Sequence, residues 1–297
     1  MRPILLLIPA LALTACTAPA AQDPGLKVGG AFGARPSVVF PEGKPSGALQ
    51  IDQLTAGKGA RLGAGDVAIV HYTAHVWDGR ENRRVDSSFT RGAPAAFPVG
   101  QLVPGLDKAL RGRTVGSRVI AAIPPSEGFG ANPPQGVGPS DGLFYVIDIL
   151  GAHAKGESVK GRASAYAGIR VGGGARPELS LPVAPPPARY SAKVLVRGDG
   201  PRVERGQLVV TQYEGAVWAR RSVFDSTWKS GRPRAFTVGD GGVIKAWERA
   251  LTGVPVGSRV LVVAPPRMAY GSAGLPAFGI RGADTLVFVV DVLAAYR

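Results

Sequence analysis

The chain repeats itself, and that constrains its fold more than any other feature. The run Gly25-Leu26-Lys27-Val28-Gly29-Gly30 returns as Gly168-Ile169-Arg170-Val171-Gly172-Gly173. FGARPSVVF at 32–40 has its partner in GGARPELSL at 173–181, and Val115-Gly116-Ser117-Arg118-Val119 in Val256-Gly257-Ser258-Arg259-Val260. Phe129-Gly130 pairs with Tyr270-Gly271, and YVID at 145–148 with FVVD at 288–291. Offsets stay between 139 and 143 throughout. A period of this length is the size of a domain, far above the 20–50 residues of solenoid repeats. The copies run over 25–152 and 168–297, and the small, polar stretch 153–167 reads as a linker between them.

Within each copy the dominant signal is β. Over 66–77, alternation puts Val67, Ile69, His71, Thr73, His75 and Trp77 on one face, and Val70, Tyr72, Ala74 and Val76 on the other. The stretch 208–218 repeats the pattern with Val209, Thr211, Tyr213 and Val217 sharing a face. Further strands are expected at 96–99, 118–123 and 143–150, with counterparts at 235–238, 259–264 and 286–293. A short helix is expected at 106–110 and again at 245–251. Gly and Pro, 42 and 26 of 297 residues, disfavour a helical bundle because both weaken helix interiors. The expected class is α+β: two domains, each a twisted antiparallel sheet wrapped on one short helix.

Residues 1–24 have a different character. Arg2 precedes an apolar run at 4–13 that is too short for a membrane span of about 20 helical residues but suits a signal-peptide core. Leu13-Thr14-Ala15-Cys16 follows, and it resembles the lipobox of bacterial lipoproteins. That resemblance implies a lipid-modified Cys16, export, and a lipid anchor at the extracytoplasmic face of a bacterial cell membrane, with 17–24 as a tether. An ordinary signal peptide cut near Ala-x-Ala, with Cys16 incidental, is the other reading.

One cysteine excludes an intramolecular disulfide framework, and with three histidines it leaves no zinc or iron–sulfur ligand set. His71 and His75 share a strand face without a third ligand, so no metal is expected. The second copy holds no histidine at all, which removes a Ser/His/Asp arrangement from it. The net charge of +14 is uneven. Residues 1–152 carry 14 basic and 11 acidic side chains against 21 and 10 in 153–297. Export and the dispersed arginines speak against nucleic acid, leaving plain solubility or a loose attraction to anionic surfaces.

One ordered series remains. In the second copy it runs Tyr213, Val223-Phe224-Asp225-Ser226, Phe236-Thr237-Val238-Gly239, Val243-Ile244, Trp247, Val256-Gly257-Ser258-Arg259, Pro265-Pro266, Tyr270-Gly271 and Asp284-Thr285-Leu286-Val287-Phe288. The series resembles the FKBP family, the macrolide-binding peptidyl-prolyl cis-trans isomerases. The first copy carries a partial version: Tyr72, Val85-Asp86-Ser87-Ser88, Phe97-Pro98-Val99-Gly100, Leu102-Val103-Pro104-Gly105-Leu106, Phe129-Gly130 and Tyr145. The segments 25–60 and 168–202 match the family core only at their last strand.

The resemblance implies a prolyl isomerase that needs no cofactor. It makes Trp247 a pocket floor, with Tyr213, Phe224, Phe236, Val243, Ile244 and Phe288 as walls and Ile280 at the loop rim. Tyr270 would donate its hydroxyl to a substrate carbonyl, and Asp225 would be the carboxylate near the twisted amide. The family often pairs that carboxylate with an arginine; Ser230 stands there instead, leaving Arg232 or Arg234 as substitutes. The bland alternative is that these aromatics are only the core of a small β domain. The first copy keeps Tyr72, Asp86, Arg91, Phe97, Leu102, Val103 and Tyr145. Val85, Leu106 and Phe129 replace Phe224, Trp247 and Tyr270, so its pocket is expected to be weaker. Partners implied are proline-containing peptides, unfolded exported proteins and, as a ligand class, macrolides. Two functions stay open: an isomerase that assists folding, or a non-catalytic prolyl-peptide binding or holdase module.

Overall fold

The computed structural model describes residues 25–297, so the expected signal segment and Cys16 lie outside the described residues. The first copy contains β1 (Lys27–Gly29), β2 (Ser37–Val39), β3 (Gln50–Thr55), β4 (Val67–Trp77), β5 (Arg83–Ser87), α1 (Ser88–Arg91), β6 (Ala95–Pro98), α2 (Pro104–Leu110), β7 (Arg118–Ile123) and β8 (Gly142–His153). The second contains β9 (Ser164–Tyr166), β10 (Ile169–Val171), β11 (Leu179–Ser180), β12 (Ser191–Val196), β13 (Leu208–Val217), β14 (Ser222–Ser226), α3 (Thr227–Ser230), β15 (Arg234–Thr237), α4 (Lys245–Leu251), β16 (Arg259–Ala264) and β17 (Leu286–Tyr296). The two main sheets are copies of one another. Their orders are β3-β7-β8-β4-β5, with β6 also on β4, and β12-β16-β17-β13-β14, with β15 also on β13. All the pairings are antiparallel.

One face of each sheet packs on its helix. In the first copy Val70, Tyr72, Ala74, Val119, Ala121 and Ile147 close over Leu106, Ala109 and Leu110. In the second, Val209, Tyr213, Val260, Val262 and Val290 close over Ala246, Trp247 and Leu251. Pro104 occupies the first turn of α2, where a missing N–H costs nothing. The sequence reading placed β4, β6–β8, β13, β15–β17, α2 and α4 within three residues at each end, and gave no range for the edge strands β3, β5, β12 and β14, the short strands β1–β2 and β9–β11, or the one-turn helices α1 and α3.

The opposite face is covered in two parts. At one end lies the short hairpin from the segment before the core. Leu26, Val28, Val38 and Phe40 pack on Trp77, Ile120, Phe144 and Val146. Ile169, Val171 and Leu179 likewise pack among Trp218, Trp228, Leu261, Val287 and Val289. At the other end each sheet meets the other copy. Val67, Ile69, Ala96 and Leu150 join Leu208, Val210, Ala235, Leu293, Ala294 and Tyr296 in one apolar cluster. Repeat-equivalent residues stand on both sides, so the contact is close to two-fold symmetric. The leucines reach it through matching irregularities: pairing slips between Ile69 and Val70 on β4–β8, and between Val210 and Thr211 on β13–β17. The extra residue is Leu150 in one strand and Leu293 in the other, as a β-bulge produces. His153 bonds the Tyr296 hydroxyl at 2.8 Å across the same contact.

The "SR" of the repeated VGSRV run is a buried ion pair in each copy. The Arg118 guanidinium donates to both oxygens of Asp148 at 2.6 Å, and further to the carbonyls of Gly30 and Ala34 in the hairpin. Arg259 donates to Asp291 at 2.6 and 2.9 Å and to the Val159 and Gly174 carbonyls. Asp291 in turn accepts from the Ser158 hydroxyl at 2.7 Å and the Val159 N–H at 2.8 Å. The stretch expected as a linker, 153–167, is therefore fastened to the second sheet by these bonds, and its β9 pairs with β10 in a separate three-stranded sheet of order β11-β10-β9.

Candidate active site

In the second copy the residues between sheet, helix α4 and the long loop before β17 enclose a cavity of about 740 Å³. Tyr213 from β13, Phe224 and Asp225 from β14, Phe236 from β15, Val243 and Ile244 before α4, Trp247 within it, Tyr270 from the loop and Phe288 from β17 all line it. Trp247 is held by aromatic neighbours on three sides. Tyr213 meets it edge-on at 4.9 Å between centroids, Phe288 at 5.4 Å, and Phe236 is tilted at 5.3 Å. Such edge-to-face pairs fix the indole beyond simple area burial. The indole N–H of Trp247 has no partner among the described residues.

Ile280 does not take the rim position expected of it. It is 3 % exposed, in the core, because its backbone pairs with Leu275 and turns the side chain inward. Phe278 and Leu275 line the cavity instead, with Phe278 edge-on to Phe224 at 6.4 Å. Sequence reasoning missed both residues, since a loop lacks the periodicity that assigns a face. It also missed Gly215. A Cβ there would come within 2.8 Å of the Phe224 and Phe288 rings, so glycine makes room for both. The signal was present: the first copy has Ala74 at this position, where Val85 replaces Phe224.

The polar wall centres on Asp225, which accepts a hydrogen bond from the Tyr213 hydroxyl. Arg234 resolves the open choice of arginine. Its guanidinium is 3.7 Å from the Asp225 carboxylate and lies over the Tyr213 ring at 6.0 Å, whereas Arg232 does not line the cavity. Ser230, at the family's arginine position, bonds back to the Thr227 carbonyl. Arg234 is 57 % exposed, so this ion pair is wet and weak on its own. Burial, then the hydrogen bond to Asp225, push the Tyr213 phenol well above its usual range. Burial also raises Tyr270, with Asp225 reinforcing and Arg234 opposing. Both phenols therefore stay protonated donors at neutral pH.

The first copy places its expected residues in the same arrangement. Tyr72 donates to Asp86, and Arg91 donates to Asp86 and to the Tyr72 hydroxyl. Burial and then Asp86 push the Tyr72 phenol up to about 12. Phe97 is 5.0 Å from Tyr72, and Tyr145 is 6.1 Å away. Leu102, Val103 and Phe129 pack at the edge of this cluster, and Leu106 supplies an aliphatic floor in place of an indole. Val85 is half-turned to solvent, at 36 % exposed. His71 and His75 point to the other side of the sheet. His71 bonds the Ser88 hydroxyl at 3.0 Å, and His75 packs against Phe40 and Phe144.

A family model described as FKBP-type peptidyl-prolyl cis-trans isomerase matches residues 59–150 and again 200–293, one span for each sheet-and-helix unit. The chain belongs to the FKBP family. An FK506-binding protein of Streptomyces anulatus is 36 % identical over 119 residues, which is 40 % of this chain and 96 % of that protein. Human peptidyl-prolyl cis-trans isomerase FKBP10 is 27 % identical over 255 residues, 84 % of this chain but only 38 % of that protein. The solved structure of FkpA from Escherichia coli is similar at 33 % identity and a TM-score of 0.33, covering 36 % of this chain and 48 % of that one. This FKBP is thus a peptidyl-prolyl isomerase by family, built from two copies of the family fold. Both family spans begin after β3 and β12, so the short strands β1–β2 and β9–β11 lie outside the matched residues.

Proposed function

We propose that the second domain catalyses prolyl isomerisation in its aromatic cavity, and that the first is a weaker proline-binding domain beside it. The observation that carries this reading is Trp247, fixed on three sides at the floor of a 740 Å³ cavity where the first domain has Leu106. Rotation about an X–Pro bond faces a barrier of about 18–20 kcal/mol because amide resonance must be broken. Resonance places negative charge on the carbonyl oxygen, which water stabilises. A dry aromatic cavity withdraws that support and favours the twisted amide. The proline ring rests on Trp247 between Phe236, Val243, Ile244 and Phe288, with Phe224 and Phe278 toward the opening. The Tyr270 hydroxyl, which takes no partner among the described residues, donates to a substrate carbonyl. Asp225, held by Tyr213 and Arg234, contributes its dipole beside the amide and transfers no proton. Positioning and desolvation do the work, and no nucleophile is involved.

The setting we infer is the cell envelope. The run at 4–13 and Cys16 support export and lipid anchoring at the outer face of the membrane, which makes unfolded exported proteins the natural substrates. Macrolides fit the same cavity as a ligand class. A protease-free isomerisation assay on the full chain tests the catalytic reading. Wild type should accelerate exchange of a proline peptide, and Trp247→Ala combined with Tyr270→Phe should abolish most of the acceleration. A wild type that binds unfolded protein without any acceleration would establish a holdase instead. Palmitate labelling in a bacterial host, lost in Cys16→Ser, tests the anchor.

A further inference from the structure

The cavity of the second domain and the Tyr72–Asp86–Phe97 cluster of the first, its proposed proline site, lie on opposite sides of the molecule. On β4, Tyr72 faces the first pocket while Val67 and Ile69, on the other face of the same strand, pack against the second domain. On β13, Tyr213 faces the second pocket while Leu208 and Val210 pack against the first domain. The domains are therefore joined back to back through the faces that carry no pocket. Three further features fix that arrangement. Leu150 and Leu293 are bulged into the contact, His153 bonds Tyr296, and residues 158–159 are fastened to Asp291 and Arg259. The two pockets form one body and do not swing on a tether.

From this geometry we propose that the protein acts on long unfolded chains that wrap around it, holding one proline in the first domain while a distant proline turns over in the second. This rests on the pocket assignments made above. Stacked sheets lie about 10 Å apart, and each pocket sits a further side-chain layer beyond its own sheet. A chain cannot pass through that body. For two domains of roughly 13 Å radius of gyration, the path around the surface is about 50 Å, or at least about 15 residues at roughly 3.3 Å each. Short peptides and closely spaced prolines engage one pocket only. Chains with prolines further apart gain from the second pocket, at an effective concentration near the millimolar range. The first domain keeps the Tyr72–Asp86–Arg91 cluster and the Phe97 wall that a weak holding site needs, and lacks the indole floor on which turnover in the second domain is proposed to rest.

The test uses the full chain and fluorescent unstructured peptides bearing two Leu-Pro units separated by Gly/Ser linkers of about 4, 12, 25 and 40 residues, with a single-unit peptide as reference. Binding is read by anisotropy and stoichiometry by sedimentation. The single-unit peptide and the shortest linker should bind alike. Linkers of about 25 residues and above should bind about tenfold more tightly, as one peptide per protein. Tightening already present at the shortest linker, or absent at every length, overturns the proposal. A single-unit peptide that neither binds nor is isomerised would instead overturn the pocket assignments on which it rests.

Discussion

Replacing Asp291 by alanine should cost the second domain more stability than any change at its surface. The carboxylate is fully buried against Arg259, itself 1 % exposed, and accepts four hydrogen bonds: two from the guanidinium, one from Ser158 and one from Val159. Its removal strands a buried guanidinium that keeps only the carbonyls of Val159 and Gly174 and the Ser158 hydroxyl. Breaking a buried pair by deleting one partner costs about 3–5 kcal/mol. For a domain of this size each kcal/mol moves the melting point by about 3–5 °C, so a fall of about 10–20 °C is expected. Three of the four tryptophans, Trp218, Trp228 and Trp247, lie in the second domain, so urea denaturation followed by indole fluorescence reports it selectively. The double variant Arg259→Met with Asp291→Leu separates charge from packing. It removes the stranded charge and forfeits chiefly the ties to 158–159, at about 0.5–1.5 kcal/mol each, so it should be more stable than Asp291→Ala. A single variant costing under about 1 kcal/mol, or a double variant no better than the single, would refute the reasoning. The exposed Asp86–Arg91 pair is the control: Arg91→Ala should change stability by less than about 1 kcal/mol.

Gly215→Ala should cost about 1–3 kcal/mol by crowding Phe224 and Phe288, and should depress isomerisation by narrowing the cavity. Adding Phe224→Val, which recreates the Ala74 and Val85 pair of the first domain, should recover stability in a melt without recovering activity. The raised phenols make a prediction about alkali. Tyr72, Tyr213 and Tyr270 stay protonated above pH 10, where the unfolded chain begins to lose those protons. The stability they support is present below pH 10 and is lost as the pH rises toward 12, while their donor role is constant from pH 7 to 9.5. A falling limb of kcat/KM centred near pH 9 that disappears in Tyr270→Phe would contradict this. Acid should act on the first domain. Burial lowers the pKa of both His71 and His75, so the unfolded chain takes up protons near pH 6.5 before the fold does, and stability drains away as pH drops below that value. Hydrogen exchange at pH 5 against pH 7, resolved by peptide, should show protection lost in β4 and retained in β13.

The sequence made the sheets legible because alternation along β4 and β13 reports burial directly. The helix 245–251 was legible because Ala246, Trp247, Ala250 and Leu251 fall on one face. The ordered aromatic series brought together its cavity residues for the same reason: most stand on strands whose face is set by parity. What stayed hidden depends on partners distant along the chain. Arg259 and Asp291 are 32 residues apart and meet residues 100 or more positions away, so nothing local marks the repeated Ser-Arg as an interior charge. Arg234 could not be chosen over Arg232 until its approach to Asp225 was seen, and Ile280 could not be turned inward until its bridge to Leu275 was seen. The contact between domains was invisible for a further reason. Val67 and Ile69 read as ordinary back-face residues, and only the bulges at Leu150 and Leu293 give that surface its shape.

The position of β17 has a consequence for biogenesis. It is the last strand of its sheet in chain order, yet it lies in the middle, between β16 and β13. Until residues 286–296 are available, β13 lacks its longest neighbour, the cavity lacks Phe288, and Asp291 is absent from Arg259. The first domain has the same plan, but its central closing strand β8 is complete by residue 153, well before the second sheet begins. Folding is thus staged by topology. During synthesis the first domain can close while the second is still an open half-sheet whose apolar edge has no partner. Pairing so distant in sequence is slow to form, and it leaves that edge exposed to other chains in the interval. A protein inferred to hold unfolded chains must itself pass through such a state, with its holding domain already formed.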